Sequence, residues 1–206
     1  MGKTTRDLPV LAFKSQQAFD VWLGSHGADR SGLWLKIAKK SSGIVSISRD
    51  EAVDAALCRG WIDGQLDSFD DRYWLIRFTP RQSTSKWSEK NRARAIELVT
   101  LGRMRAAGLG EIERAKKDGR WDAAYAAQST ARVPVDLNRA LSKNKKAKVF
   151  FEALDSRNRY AILYRIHGAR KPETRAARVA KFVAMLVEGK TIYPQKEKAA
   201  PARKKV

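Results

Sequence analysis

The chain has 206 residues, 43% hydrophobic and 31% charged, enough for one good-sized core or two small ones, with no apolar run near the ~20 residues that cross a bilayer. Cys58 is the single cysteine, which excludes an internal disulfide and a Cys-rich metal site, and the start from Met1 to Asp7 lacks the apolar stretch of a secretory signal, so a cytoplasmic protein is expected. The net charge of +20 is uneven: residues 1–129 hold 22 Lys and Arg against 16 Asp and Glu, whereas residues 130–206 hold 20 against 6, a field that attracts nucleic acid, anionic lipid or acidic protein without choosing among them.

Ser15 is placed to cap a helix. Phe19, Trp22, Leu23 and His26 follow at helical spacing before Gly27, which predicts an amphipathic helix over residues 16–26. Gly32 opens a strand over 33–39 with Leu33, Leu35 and Ile37 on one face, and Lys39 to Gly43 reads as a basic turn. Ser48 and Glu51 have the spacing of a capping box, so a second helix starts there and ends near Arg59 and Gly60. Two strands follow, around Trp61 and Trp74. In the second, Trp74, Ile76 and Phe78 alternate with Tyr73, Leu75, Arg77 and Thr79, giving one apolar face and one bearing Arg77 and Thr79. The turn-like run from Asp67 to Arg72 suits an antiparallel pair that sets Asp63 within about 4 Å of Arg77. Ser85 or Ser88 starts a third helix with Ala95, Leu98, Val99 and Gly102 on one stripe.

Strand signals stop after Gly108. A short helix over 109–117 ends at Asp118 and Gly119, Gly102, Gly108 and Gly110 read as helix punctuation, and 128–134 reads as a linker. Helical patterns then cover 136–141, 146–154, 156–167 and 172–188. Tyr160, Leu163, Tyr164 and His167 share one face, and Ala176, Val179, Ala180, Val183 and Val187 another; Pro172 suits a first helical turn and Gly189 a helix end. The expected architecture is α+β: a small mixed or antiparallel sheet with helices over 1–128, an all-α unit over 129–194, and a disordered basic tail over 195–206 with nothing to bury.

Arginines and a carboxylate among bulky aromatics, from Arg59 to Arg81, mark either a polar seam in a core or a binding site. As a site, the candidates are Trp61, Asp63, Arg77, Thr79, Arg81, Ser85, Trp87 and Asn91, with guanidinium forks and first-turn amides to cradle a small anionic ligand and Trp61 and Trp87 as its wall. As a seam, Arg77 pairs with Asp63 and the serines cap a helix. Cys58, Asp67, Asp70, Asp71, His26, His167, Ser83 and Ser85 compose no nucleophile elbow, phosphate loop or metal motif. Cys58 reads as a small apolar residue at a helix end and both histidines as core or capping residues, so neither cofactor nor metal is expected and an enzyme is the third-ranked reading. Lys145, Lys146, Lys148, Arg175, Arg203, Lys204 and Lys205 form a basic surface, either a solvated face or a weak contact for nucleic acid or an anionic membrane surface.

Several stretches together resemble the YdeI/OmpD-associated family, also called bacteriocin-protection proteins. They are Gly32 to Lys40, Glu51 to Cys58, Gly60 to Gly64, and Arg77 to Arg81 with Trp87, Ser88 and Asn91; Asp118 to Trp121 and Lys171 to Arg175 extend the similarity over nearly the whole chain except the tail. The resemblance implies a non-catalytic binding module linked to bacteriocin, antimicrobial-peptide or envelope-stress protection. A nonspecific nucleic-acid-binding protein acting through the basic C-terminal part is the alternative.

Overall fold

The computed structural model describes residues 8–27 and 31–195 and divides into two compact units, Met1–Ala124 and Tyr125–Val206. In the first unit, β1 (Val10–Ala12), β2 (Leu33–Ala38), β3 (Trp61–Ser68) and β4 (Tyr73–Pro80) form one sheet in the order β1-β2-β4-β3. β1 runs parallel to β2 and the other pairs are antiparallel, so the sheet is mixed. With three residues, β1 is too short to show a period, and no strand was expected there.

Helices α1 (Gln16–Ser25) and α2 (Arg49–Cys58) cover one face of the sheet. Their buried Phe19, Leu23, Ala52, Ala55 and Ala56 meet Leu33, Leu35, Ile37, Ile76 and Phe78, the residues whose alternation singled out that face. The opposite face is partly covered: Trp34 and Leu75 pack with Leu8, and the Lys36 ammonium sits over the Phe69 and Tyr73 rings at 4.3 and 4.2 Å. Gly32 enters β2 with φ +89, and any side chain there would run into the Phe78 carbonyl oxygen.

The local start signals act as their chemistry requires. The Ser15 hydroxyl accepts from the Ala18 amide, Ser48 and Glu51 close a reciprocal capping box, and Ser88, rather than Ser85, caps α3 (Glu89–Thr100). Ala95 and Leu98 of α3 are buried, but Val99 and Gly102 are exposed, so the stripe is narrower than expected. α4 (Ala106–Lys117) begins three residues earlier than the spacing predicts and takes in Gly108, which was expected to precede it. α3, α4 and the end of α2 share a second small core around Trp87, Leu98, Ile112 and Ala115.

The second unit has turns and irregular backbone over 126–134, a stretch that includes the 128–134 segment read as a linker, and continues as α5 (Val135–Ser142), α6 (Lys145–Ala153), α7 (Ser156–His167) and α8 (Pro172–Val187). Leu137, Leu141, Phe151, Ile162, Ile166, Phe182 and Leu186 make its core. Asn158, fully buried in α7, fastens the chain beyond α8: its Oδ1 accepts from the Ile192 and Tyr193 amides and its Nδ2 donates to the Tyr193 carbonyl. Gln195, expected as the first residue of a disordered tail, is held too, its Oε1 accepting from the Asp155 amide at 2.8 Å. The rest of that tail, with Arg203, Lys204 and Lys205, lies outside the described residues.

Candidate functional site

Asp63 and Arg77 do not pair. In the β3–β4 ladder Asp63 stands opposite Phe78, and a one-residue bulge at Gly64 and Gln65 faces Arg77. Neighbours along a strand point to opposite faces, so Asp63 shares the helix-covered face with Phe78 while Arg77 shares the other with Trp34. Asp63 instead accepts from Arg49 Nη2 at 3.1 Å and from Asn91 Nδ2 at 3.3 Å, joining β3 to the first turns of α2 and α3. The Arg77 Nε is shielded from solvent and has no hydrogen-bond partner among the described residues.

The remaining strand-and-tryptophan candidates are scattered through packed structure. Trp61 is buried in the main core, against Trp22 at 6.0 Å. Arg81 is 5% exposed, its guanidinium stacked over the Trp87 ring at 3.6 Å and donating to the Lys86 carbonyl at 3.3 Å. The Ser85 hydroxyl accepts from the Gln82 amide and its carbonyl from Arg120 Nη1, while Thr79 pairs with Ile62. Of the eight candidates the structure brings Asp63 and Asn91 into contact; Arg81 and Trp87 form a closed seam between strand and helix.

Asp63 and Asn91 line a cleft of about 460 Å³ with Arg49, Asp50, Glu51, Asp54, Lys90 and Arg94. Its carboxylates are engaged. Glu51 is held by the Ser48 amide and hydroxyl, which keep its carboxyl below the usual range, and Asp54 takes a two-pronged bond from Arg94. Asp54 and a second such pair, Asp20 with Arg59 Nε and Nη2 at 2.8 Å each, escaped the sequence reading. An Asp on the buried face of an alanine-rich helix, as Asp54 is, was the available signal for the first. The other acids have local jobs: Asp70 accepts from the Arg72 and Tyr73 amides, and Asp67 from the Ser68 amide. Burial pushes the Cys58 thiol up, away from a reactive thiolate. His26 ends α1, stacked on Trp22 at 4.4 Å with its Nδ1 3.0 Å from the Trp22 carbonyl, a capping histidine. Among the described residues no group of three or more His, Cys, Asp or Glu is placed to hold a metal ion, and no helix is long and apolar enough to cross a membrane.

In the helical unit, the Ala176, Val179, Ala180, Val183, Val187 face of α8 lines a groove of about 810 Å³ against Ala140 of α5. At its head Arg175 clamps Asp136 through Nε and Nη2, holding that carboxyl below the usual range, and Arg175 Nη1 donates to the Ile166 carbonyl. Arg175, a polyanion candidate, is therefore spent inside the fold. Lys145, Lys146 and Lys148 are exposed on the first turns of α6, which has no acidic residue there. The Tyr160, Leu163, Tyr164, His167 face of α7 lines a small pocket of about 90 Å³ with Tyr125, and the Tyr160 hydroxyl donates to the Ala126 carbonyl.

These grooves and internally matched charges define a two-unit protein: a mixed-sheet α+β unit followed by a bundle of helices with an open apolar groove. Residues 130–189, within the helical unit, match the family model described as Bacteriocin-protection, YdeI or OmpD-Associated. Residues 11–111 match a different model, a Domain of unknown function (DUF8412), so the likeness expected over nearly the whole chain divides between two families. Neither a curated protein nor a solved structure matches the chain.

Proposed function

We propose that the chain is a binding module associated with bacteriocin protection, and that its helical domain takes an amphipathic peptide helix in the groove between α5 and α8. The family of residues 130–189 supports the association. The groove carries the rest: Ala176, Ala180 and Ala184 are exposed at four-residue spacing on α8, with Val183 and Val187 half-buried beside them. Small side chains along such a row let a second helix approach closely, and a groove of this kind reads partner residues one helical turn apart. Charge selects the partner. With 20 Lys and Arg against 6 Asp and Glu from residue 130 onward, the segment repels a cationic peptide and favours acidic flanks, so protection works through an acidic partner instead of capture of a cationic toxin.

The test is survival of bacteriocin-challenged cells expressing either the wild-type chain or Ala180→Glu, which adds bulk and charge at an exposed groove position without entering the core. Wild type protects and Ala180→Glu, folded by circular dichroism, loses the protection. Equal protection by both removes the groove from the mechanism, and no protection by wild type removes the association. A second reading, weak polyanion binding, draws on the exposed Lys145, Lys146 and Lys148.

A further inference from the structure

A separate cavity of about 290 Å³ lies in the α+β unit, between the start of α1 and the turn joining α3 to α4. Gln16, Gln17 and Asp20 line it from α1, Cys58 from the end of α2, and Arg103 and Arg105 from the turn. We propose that this cavity is an oxyanion site that takes the phosphate group of a small soluble ligand.

Not every donor around the cavity is matched. The Gln16 Nε2 is shielded from solvent and has no acceptor among the described residues, although an amide nitrogen removed from water needs one. The exposed Arg105 guanidinium makes no hydrogen bond or ion pair among the described residues; its backbone alone is used, the amide donating to the Cys58 carbonyl at 3.1 Å and the carbonyl accepting from the Leu109 amide at 3.0 Å. The carboxylate that faces these groups is already occupied, because Arg59 bonds both oxygens of Asp20. Arg103 approaches Asp54 at 3.6 Å, but Arg94 holds both oxygens of that carboxylate. Arg103 and Arg105 also stand close enough to Asp20 to add to the pull of Arg59, which keeps its carboxyl below the usual range. Setting Asp20, Asp54 and Glu97 against Arg59, Arg94, Arg103 and Arg105 leaves one positive charge over, on Arg105. A cavity walled by donors with a cation to spare is complementary to an anion with several acceptor oxygens, and a guanidinium presents its donors in the fork that phosphate accepts.

The experiment is a titration of the ¹⁵N-labelled full chain with inorganic phosphate at constant ionic strength, following the side-chain amide of Gln16. Expected is a saturable shift of that signal, weakened at least tenfold in Arg105→Ala and only partly restored in Arg105→Lys. Lys145→Ala with Lys146→Ala leaves it unchanged. Arg105→Ala removes no side-chain hydrogen bond or ion pair among the described residues, so the variant keeps the fold, and the Gln16 signal reads the site in the wild type without any substitution. A Gln16 signal that never moves, or Arg105→Ala binding phosphate as wild type does, overturns the site. Acetate acting as strongly as phosphate overturns the phosphate assignment. Phosphatidylglycerol vesicles moving Gln16 where free phosphate does not overturn the soluble ligand.

Discussion

Asp20 and Arg59 lie 39 residues apart in sequence and form a two-pronged bond about three-quarters removed from solvent, with Gly24 leaving room for the guanidinium. The Arg59 hydrogen bonds outweigh burial and hold the Asp20 carboxyl below its ordinary value near 3.8. A carboxyl whose folded value is depressed contributes stability that is present above the ordinary value and disappears as pH falls through the folded one. Asp20→Asn is therefore expected to lower stability by about 1 kcal/mol at pH 7, with the difference from wild type closing as pH falls below the ordinary carboxyl value. Urea denaturation of both proteins across that range measures it, and a gap independent of pH would show that the pair's charge plays no part. Such pairs were illegible in the sequence because nothing local links Asp20 to Arg59 or Asp54 to Arg94. The one long-range pair that was read, Asp63 with Arg77, failed for a definite reason. Alternation was right about which face each strand residue takes, but the bulge at Gly64 and Gln65 shifts the register beside Arg77.

Helices were the most legible elements, since their signals sit within one turn: Ser15, the Ser48–Glu51 box and Pro172 each mark a start that the structure keeps. Gly108 was misread because local propensity and tertiary packing ask opposite things of it. Inside α4, alanine should improve on glycine by about 1 kcal/mol. Yet a Cβ at Gly108 would lie 2.5 Å from the Cys58 carbonyl oxygen and the Met104 sulfur, and 2.7 Å from the Leu57 carbonyl oxygen. Two of these atoms are backbone at the end of α2 and cannot swing away, so α4 has to move off α2 and loosen the core around Trp87 and Ile112. Gly108→Ala is expected to destabilise by about 1–3 kcal/mol despite the better propensity. Gly110→Ala, which meets nothing within 4 Å, stabilises by a few tenths to 1 kcal/mol. Thermal or urea unfolding of the two variants decides it, and the same sign of change in both would remove close packing as the reason for the glycine.

At the scale of the whole molecule the charge is the property that composition states most plainly and the structure redistributes most. The uneven +20 reads as a basic C-terminal part, but the cations there are not equivalent. Arg175 is bonded to Asp136 and to the Ile166 carbonyl, so removing it subtracts a clamp at the groove head. Lys145 and Lys146 are exposed at the start of α6 without acidic neighbours in its first turn, where the helix dipole adds to their field; Lys148, one turn on, lies 4.0 Å from Glu152. If this surface meets nucleic acid, binding is carried by phosphate contacts and falls with salt by a logarithmic slope of about 0.9 per contact on duplex DNA. Replacing Lys145, Lys146 and Lys148 together with alanine is then expected to lower the slope by about 2 to 3 and to weaken binding to unrelated duplexes equally, because backbone contacts carry no sequence information. Arg175→Ala should leave the slope within about half a unit of wild type while lowering the unfolding midpoint, the signature of a structural cation. A salt titration of duplex binding for the three proteins separates these roles. An unchanged slope in the lysine variant, or no binding by wild type at low salt, would return the charge on α6 to solvating the helical domain.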